Sequence, residues 1–253
     1  MKSLALPSLF LGLSILASST VYAKDETYKL VHLVASEYPP TTSEKMPNGG
    51  LLDQKVKEAF RLAGYEVKVT FLPFARGYAM AKAGKFDGIY DLWMTPERAK
   101  DFLPSHSVHH SIFSIYGRSD DAYPPKFISQ LKGHTVGLVS SYGYPNEISK
   151  GVLQLDYSND DISIFRKVLM GRTDYAVATK ERVDWLLQTD LSASKLRLYK
   201  TEIQLNNLDS VVGFPIHAPR SQELIKAFNK GLEQLNKEKP KKNMGKLISV
   251  SYQ

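Results

Sequence analysis

The sequence predicts an α/β protein of two similar lobes, each a mainly parallel sheet flanked by helices, with the chain crossing between them twice. Three observations predict this. Apolar runs of strand length alternate with segments of helical periodicity, the pattern of parallel strands joined by helical crossovers. A phrase in the first half, Ala83-Gly84-Lys85-Phe86-Asp87-Gly88-Ile89, recurs in the second as Met170-Gly171-Arg172-Thr173-Asp174-Tyr175-Ala176. The last amphipathic segment has no strand after it, so it must dock on a lobe already built. With 253 residues and 43% of them apolar, the chain has material for two cores, and a disordered or collagen-like chain is excluded.

Taken in order, Lys2 precedes an apolar run from Leu4 to Ala17, then Ser18, Ser19, Thr20 and Val21-Tyr22-Ala23. This is the grammar of a secretory signal cleaved after about Ala23, and Pro7, Ser8 and Ser14 leave the run short of the roughly 20 apolar residues of a membrane span. Leu30, Val31, Leu33 and Val34 then read as a strand buried on both faces, stopped by Glu37-Tyr38-Pro39-Pro40. Leu51, Leu52, Val56, Ala59, Phe60 and Ala63 fall at helical spacing before Gly64. Val67, Val69 and Phe71 alternate as a strand, Phe74 to Ala83 is a second helix, and Phe86 to Leu92 returns to strand character.

After Pro124-Pro125 the order restarts: strand Thr135 to Val139, helix near Asn146, strand Val152 to Leu155, a helix carrying Ile162, Phe165, Val168 and Leu169, then strand Tyr175 to Ala178. The terminal helix presents Leu224, Ile225, Phe228, Leu232 and Leu235 on one face. If it returns to the first lobe, that lobe comprises residues 24–117 and 212–253, the second comprises 118–211, and the hinge lies near Gly117–Asp121 and Asn206–Gly213. A cleft between hinged lobes is a preferred ligand site.

The chain carries 33 Lys and Arg against 26 Asp and Glu, a net charge of +7. The excess is spread thinly, which implies solubility and mild anion attraction rather than a nucleic-acid surface. Lys237, Lys239, Lys241, Lys242 and Lys246 are the one cluster, and they read as a solvated face. The absence of cysteine excludes disulfides, thiol catalysis, cysteine metal sites and a lipid-bearing N-terminal Cys. Together with the signal segment, it implies a Gram-negative periplasm. His106, His109 and His110 sit in strand-like sequence, where His109 and His110 face opposite sides, so no metal site is expected. With no phosphate loop, nucleophile elbow or zinc histidine pair, no catalytic residue and no cofactor is assigned.

The sequence resembles the periplasmic solute-binding proteins of family 3, the polar amino acid binding components of ABC importers. The carriers are Glu37-Tyr38-Pro39-Pro40, Gly84-Lys85-Phe86-Asp87-Gly88, Thr95-Pro96-Glu97-Arg98, Leu131-Lys132-Gly133-His134-Thr135-Val136-Gly137 and Gly171-Arg172-Thr173-Asp174, in family order and spacing. Leu72-Pro73-Phe74-Ala75-Arg76 and Tyr142-Gly143-Tyr144-Pro145 point to a subgroup. The resemblance implies a type II periplasmic binding protein fold, closing as a monomer around a small molecule and delivering it to an inner-membrane ABC permease.

The resemblance assigns Arg98 to the ligand carboxylate and places an aromatic at Phe74 over the ligand. Independently, Thr95 as N-cap and Pro96 as first helical residue put Arg98 in a first turn, where the helix dipole disfavours a cation unless an anion approaches. The family's usual Asp for an α-amino group aligns with Thr179 here, equally an N-cap. The stretch from Asp87 to Arg98 is one residue short of the usual spacing and carries Tyr90, Asp91 and Trp93, so Asp91 is a candidate replacement carboxylate. Tyr38, Tyr90, Trp93, Tyr142 and Tyr144 make the expected cleft aromatic, suited to a flat or cationic group. Gly143 offers backbone N–H groups to an anion, and Arg76 is placed near the cleft mouth. Two other readings share these features: an exported cyclohexadienyl dehydratase with Glu37 or Glu181 as acid, and a sensing module for a membrane receptor.

Overall fold

The computed structural model describes residues 29–149 and 153–238. The segment expected to be a secretory signal and the lysines beyond 238 lie outside the described residues. Eleven strands among these residues form two sheets. The first sheet contains β1 (Lys29–Ala35), β2 (Tyr65–Phe71), β3 (Gly88–Trp93), β4 (Phe102–Pro104), β5 (His109–Ser111) and β11 (Leu208–Pro215), in the order β2-β1-β3-β11-β4, with β5 also on β11. The second contains β6 (Phe113–Arg118), β7 (Thr135–Val139), β8 (Gln154–Ser158), β9 (Tyr175–Thr179) and β10 (Leu198–Lys200), in the order β10-β6-β9-β7-β8. In each, a parallel trio (β2-β1-β3 and β8-β7-β9) is joined by one long antiparallel strand, β11 or β6.

Helices cover both faces of each sheet, which is why the central strands are apolar on both sides. The helices α1 (Leu51–Leu62) and α6 (Ser221–Glu238) pack with β1 and β11 through Val56, Phe60, Phe228 and Leu232. On the other face α2 (Phe74–Lys82) buries Ala81 against Val34, Ile89 and Leu92. In the second half α4 (Asp161–Leu169) and α5 (Lys180–Leu186) share a core of Ile164, Phe165, Val168, Val183 and Leu186. The single-turn α3 (Asn146–Ser149) puts Ile148 into the opposite layer. The terminal helix docks on the first sheet, the lobe that the sequence left as one of two choices.

The repeated phrase encodes the same device twice. Gly84 and Gly171 end α2 and α4 with φ of 73° and 69°, a conformation that favours glycine. Asp87 then donates its N–H to His32 O and accepts from His32 N, both at 2.8 Å. Asp174 donates to Thr135 O at 3.1 Å and accepts from Thr135 N at 2.7 Å. Each Asp therefore fixes the register one residue ahead of the parallel pairs Leu33 with Gly88 and Val136 with Tyr175.

The crossings differ from the expected hinge. The chain leaves the first sheet at Ser111 and enters the second at Phe113, so it changes sheet at Ile112, ahead of Gly117–Asp121. Phe113 to Tyr116 pair with β9, which places them with the second sheet rather than in residues 24–117 of the first. The return runs between Lys200 and Leu208, because Leu208–Ser210 already pair with β5, so residues 208–211 belong with the first sheet. The strand expected from Val152 is observed as Gln154–Ser158, and Val152 lies outside the described residues.

Candidate functional site

Between the two sheets lies a cavity lined by Ser36, Tyr38, Phe74, Asp91, Trp93 and Arg98 from the first half and Tyr142 from the second. Its free space, about 10 Å³, holds roughly one water, so the halves are closed upon each other. A larger concavity of about 820 Å³ lies on the outer face of α1 and β2. It is an open groove lined by Lys57, Glu58, Arg61 and Glu66, whose mixed charges offer no enclosed site.

Arg98 is 7% exposed. Its Nη1 donates to Trp93 O at 2.7 Å and its Nη2 reaches across the cleft to Ser141 O at 2.8 Å. The guanidinium carbon stands 4.8 Å from the Phe74 ring centre and 5.9 Å from that of Tyr78. No carboxylate among the described residues forms an ion pair with it, and burial pushes its pKa down to about 10. The expected helical turn is a single 3-10 turn, Arg98–Lys100, with Thr95 Oγ1 accepting from Arg98 N at 3.4 Å. One such turn has little dipole, so burial without a counter-ion, rather than the dipole, is what makes this cation hungry for an anion.

Arg182 is the counterpart from the second half, also 7% exposed. Thr179 caps α5 and accepts from Arg182 N at 3.4 Å. Arg182 pairs with the buried Asp161 at 3.0 Å, donates through Nη1 to Pro39 O of the first half at 3.0 Å, and lies 5.3 Å from the Tyr38 ring centre. Tyr38 Oη meets Thr179 Oγ1 at 3.1 Å. Burial raises the pKa of Tyr38, Tyr142 and Asp161, and Arg182 partly offsets this at Asp161.

Most expected site residues converge here and some do not. Tyr38, Phe74, Asp91, Trp93, Arg98 and Tyr142 line the cavity, and Thr179 touches it through Tyr38. Tyr90 does not: strand alternation turns it to the opposite face, into the α1 and α6 core, where its hydroxyl donates to Asp53. Arg76 is exposed, because α2 buries the face of Gly77 and Ala81. Gly143 is beside Arg98, with α3 after it only four residues long, so it acts through space instead of as an N-terminal anion site. A Cβ there would stand 2.9 Å from Thr95 Cγ2 and 3.1 Å from Arg98 Nη1. Tyr144 is structural, its hydroxyl accepting from Val139 N at 2.8 Å. Glu37 and Glu181 are not among the cavity residues.

Asp91 has φ of 56° and is half-buried, accepting from Thr41 Oγ1 at 2.9 Å and Ser210 Oγ at 2.8 Å. Burial raises its pKa, and the two hydroxyls counter part of that rise. It pairs with neither Arg98 nor Arg76. Ser36, Asp161 and Arg182 were not among the expected site residues. Arg182 had a readable signal: Thr179 and Arg182 repeat the spacing of Thr95 and Arg98.

The family model for bacterial extracellular solute-binding proteins, family 3, matches residues 30–246. The chain belongs to that family. Comparison with curated proteins returns no match. Among solved structures, a histidine kinase sensor domain with similarity to periplasmic binding proteins aligns with TM-score 0.73 and 16% identity over 89% of this chain and 96% of that one. The amino acid ABC transporter substrate-binding protein AbpA from Streptococcus pneumoniae, bound to L-arginine, aligns with TM-score 0.71 and 15% identity over 88% and 94%. The arginine-bound form of a truncated ArgBP from T. maritima aligns with TM-score 0.67 and 21% identity over 83% and 98%. The family 3 chain thus has the type II periplasmic binding protein fold.

Proposed function

We propose that this family 3 protein captures a small carboxylate-bearing solute of the amino acid class between its two lobes, as a monomer in the periplasm after signal cleavage near Ala23, and delivers it to an ABC permease. One observation carries the reading: Arg98 is a buried guanidinium in the cleft that forms no ion pair with a carboxylate among the described residues. Its contact to Ser141 O stands where an incoming carboxylate gains a bidentate, charge-assisted pair. The crossings at Ile112 and between Lys200 and Leu208 serve as the hinge. Opening admits the solute, and closure is a population shift driven by tighter binding to the closed form. No enzyme step is assigned, since Glu37 and Glu181 stand outside the cavity lining.

The likeness to a histidine kinase sensor domain favours one second reading, that the closed form signals to a membrane receptor. A thermal-shift panel of amino acids, polyamines, small carboxylates and peptides, with mass spectrometry of co-purified solute, tests the capture. The expected result is a stabilising carboxylate ligand whose effect vanishes in Arg98→Ala. Undiminished affinity in that variant would refute the clamp. Loss of solute uptake in a deletion strain supports transport; intact uptake with a lost transcriptional response supports sensing.

A further inference from the structure

The cleft also constrains the other end of the solute, and this inference rests on the carboxylate reading above. We propose that the solute's cationic end is an alkylated ammonium, of the betaine or N-methylated amino acid class, received by a box of three rings, Tyr38, Trp93 and Tyr142, with Asp91 beside it.

The three rings line one cavity and stand nearly perpendicular to one another. Tyr38 and Trp93 are 5.4 Å apart at 87°, Tyr38 and Tyr142 are 5.8 Å apart at 79°, and Trp93 and Tyr142 are 5.5 Å apart at 84°. Rings so arranged cannot all stack on one flat ligand. They form three walls of a box, the geometry that receives a compact, rounded cation on several π faces. With the halves closed, the rings meet edge to face and satisfy one another. A cation entering as the lobes part replaces those edges.

Hydrogen bonding separates the alkylated from the primary ammonium. A primary ammonium presents three N–H donors and needs three acceptors. This wall is mostly ring: each Asp91 oxygen accepts one hydroxyl, from Thr41, whose proton is shared with Tyr38 O, or from Ser210, and keeps one further lone pair, while the Tyr38 hydroxyl is engaged with Thr179. Position 179 itself is a threonine, not a carboxylate. An alkylated ammonium has fewer donors or none, and its methyl groups prefer ring faces. Asp91 supplies the charge, since no Lys or Arg pairs with it among the described residues and its burial favours an incoming cation. Among the described residues, Arg98 has no carboxylate ion pair and Asp91 no Lys or Arg partner, which makes the cleft complementary to a zwitterion of fixed charge.

The test is calorimetric titration of the mature protein with glycine against glycine betaine and proline against proline betaine, plus 3,3-dimethylbutanoate, the uncharged-headed isostere of glycine betaine. In each pair that binds, the methylated member is expected to bind at least 10-fold tighter, and the isostere at least 10-fold weaker than glycine betaine. Tyr142→Phe should keep this preference, while Tyr142→Leu and Trp93→Leu, shown folded by circular dichroism, should lose it. A primary amine binding as tightly as its methylated partner, or an isostere matching glycine betaine, overturns the box while leaving the Arg98 clamp standing. No binding by either pair also overturns the box, and the clamp is then judged on the co-purified solute and Arg98→Ala.

Discussion

Arg98 and Arg182 hold matching stations in the two halves. Each follows a Thr by three residues, each backbone N–H reaches that Thr hydroxyl at 3.4 Å, and each is 7% exposed. Each lies over an aromatic ring and donates to a carbonyl of the opposite half. They differ in pairing: Arg182 forms an ion pair with the buried Asp161, whereas among the described residues Arg98 forms none with a carboxylate. A buried charge without a partner is expensive, and a fold that keeps one needs a ligand to offset it. On the proposed function, Arg182 belongs to the scaffold of closure and Arg98 to the binding chemistry.

The contrast breaks most visibly in stability. Asp161→Asn strands Arg182 and is expected to cost about 3–5 kcal/mol in urea unfolding, whereas Arg98→Met removes an uncompensated charge and should cost nothing or stabilise the empty protein. Equal losses would erase the distinction. Affinity should show the reverse asymmetry. Arg98→Lys keeps the charge but not the fork, and is expected to weaken carboxylate binding by about 2 kcal/mol or more in calorimetry. A smaller effect is expected from pH. Because burial holds Arg98 down at about 10 and a bound carboxylate raises it, affinity should be flat through neutrality and then fall about tenfold per pH unit as pH rises above about 10. Titrations that stay flat across that range would place the ligand elsewhere. Smallest of all, Gly143→Ala crowds Arg98 Nη1 and Thr95, and should weaken binding by about 1 kcal/mol with an unchanged melting temperature.

Much of the fold is legible because periodicity reports burial directly. The recurrence around Gly84 and Gly171 reports a physical device, an αL helix stop followed by an Asp that locks a parallel strand. The crossing is less legible: only Ile112 separates β5 from β6, so the residues read as one strand although they serve two sheets. At the site, Tyr38, Asp91, Trp93 and Tyr142, singled out by type and place, and Arg98 and Phe74, singled out by the family resemblance, line the cavity together. Tyr90 misleads because an aromatic says nothing about which face of β3 it takes, and Arg76 because a helix position says little until the buried face is known. Arg182 is discoverable from the Thr-to-Arg spacing of three that it shares with Arg98. Its partner Asp161 is remote in sequence, and only the fold joins them.

The central claim is that Arg98 is the anion receptor of the cleft. A crystal structure of the protein with its co-purified solute tests it most directly. The account predicts a solute carboxylate about 2.7–2.9 Å from the Arg98 guanidinium nitrogens, the Ser141 contact given up, and the pair between Arg182 and Asp161 intact. A solute seated elsewhere, with Arg98 still bound to Ser141 O, would contradict it.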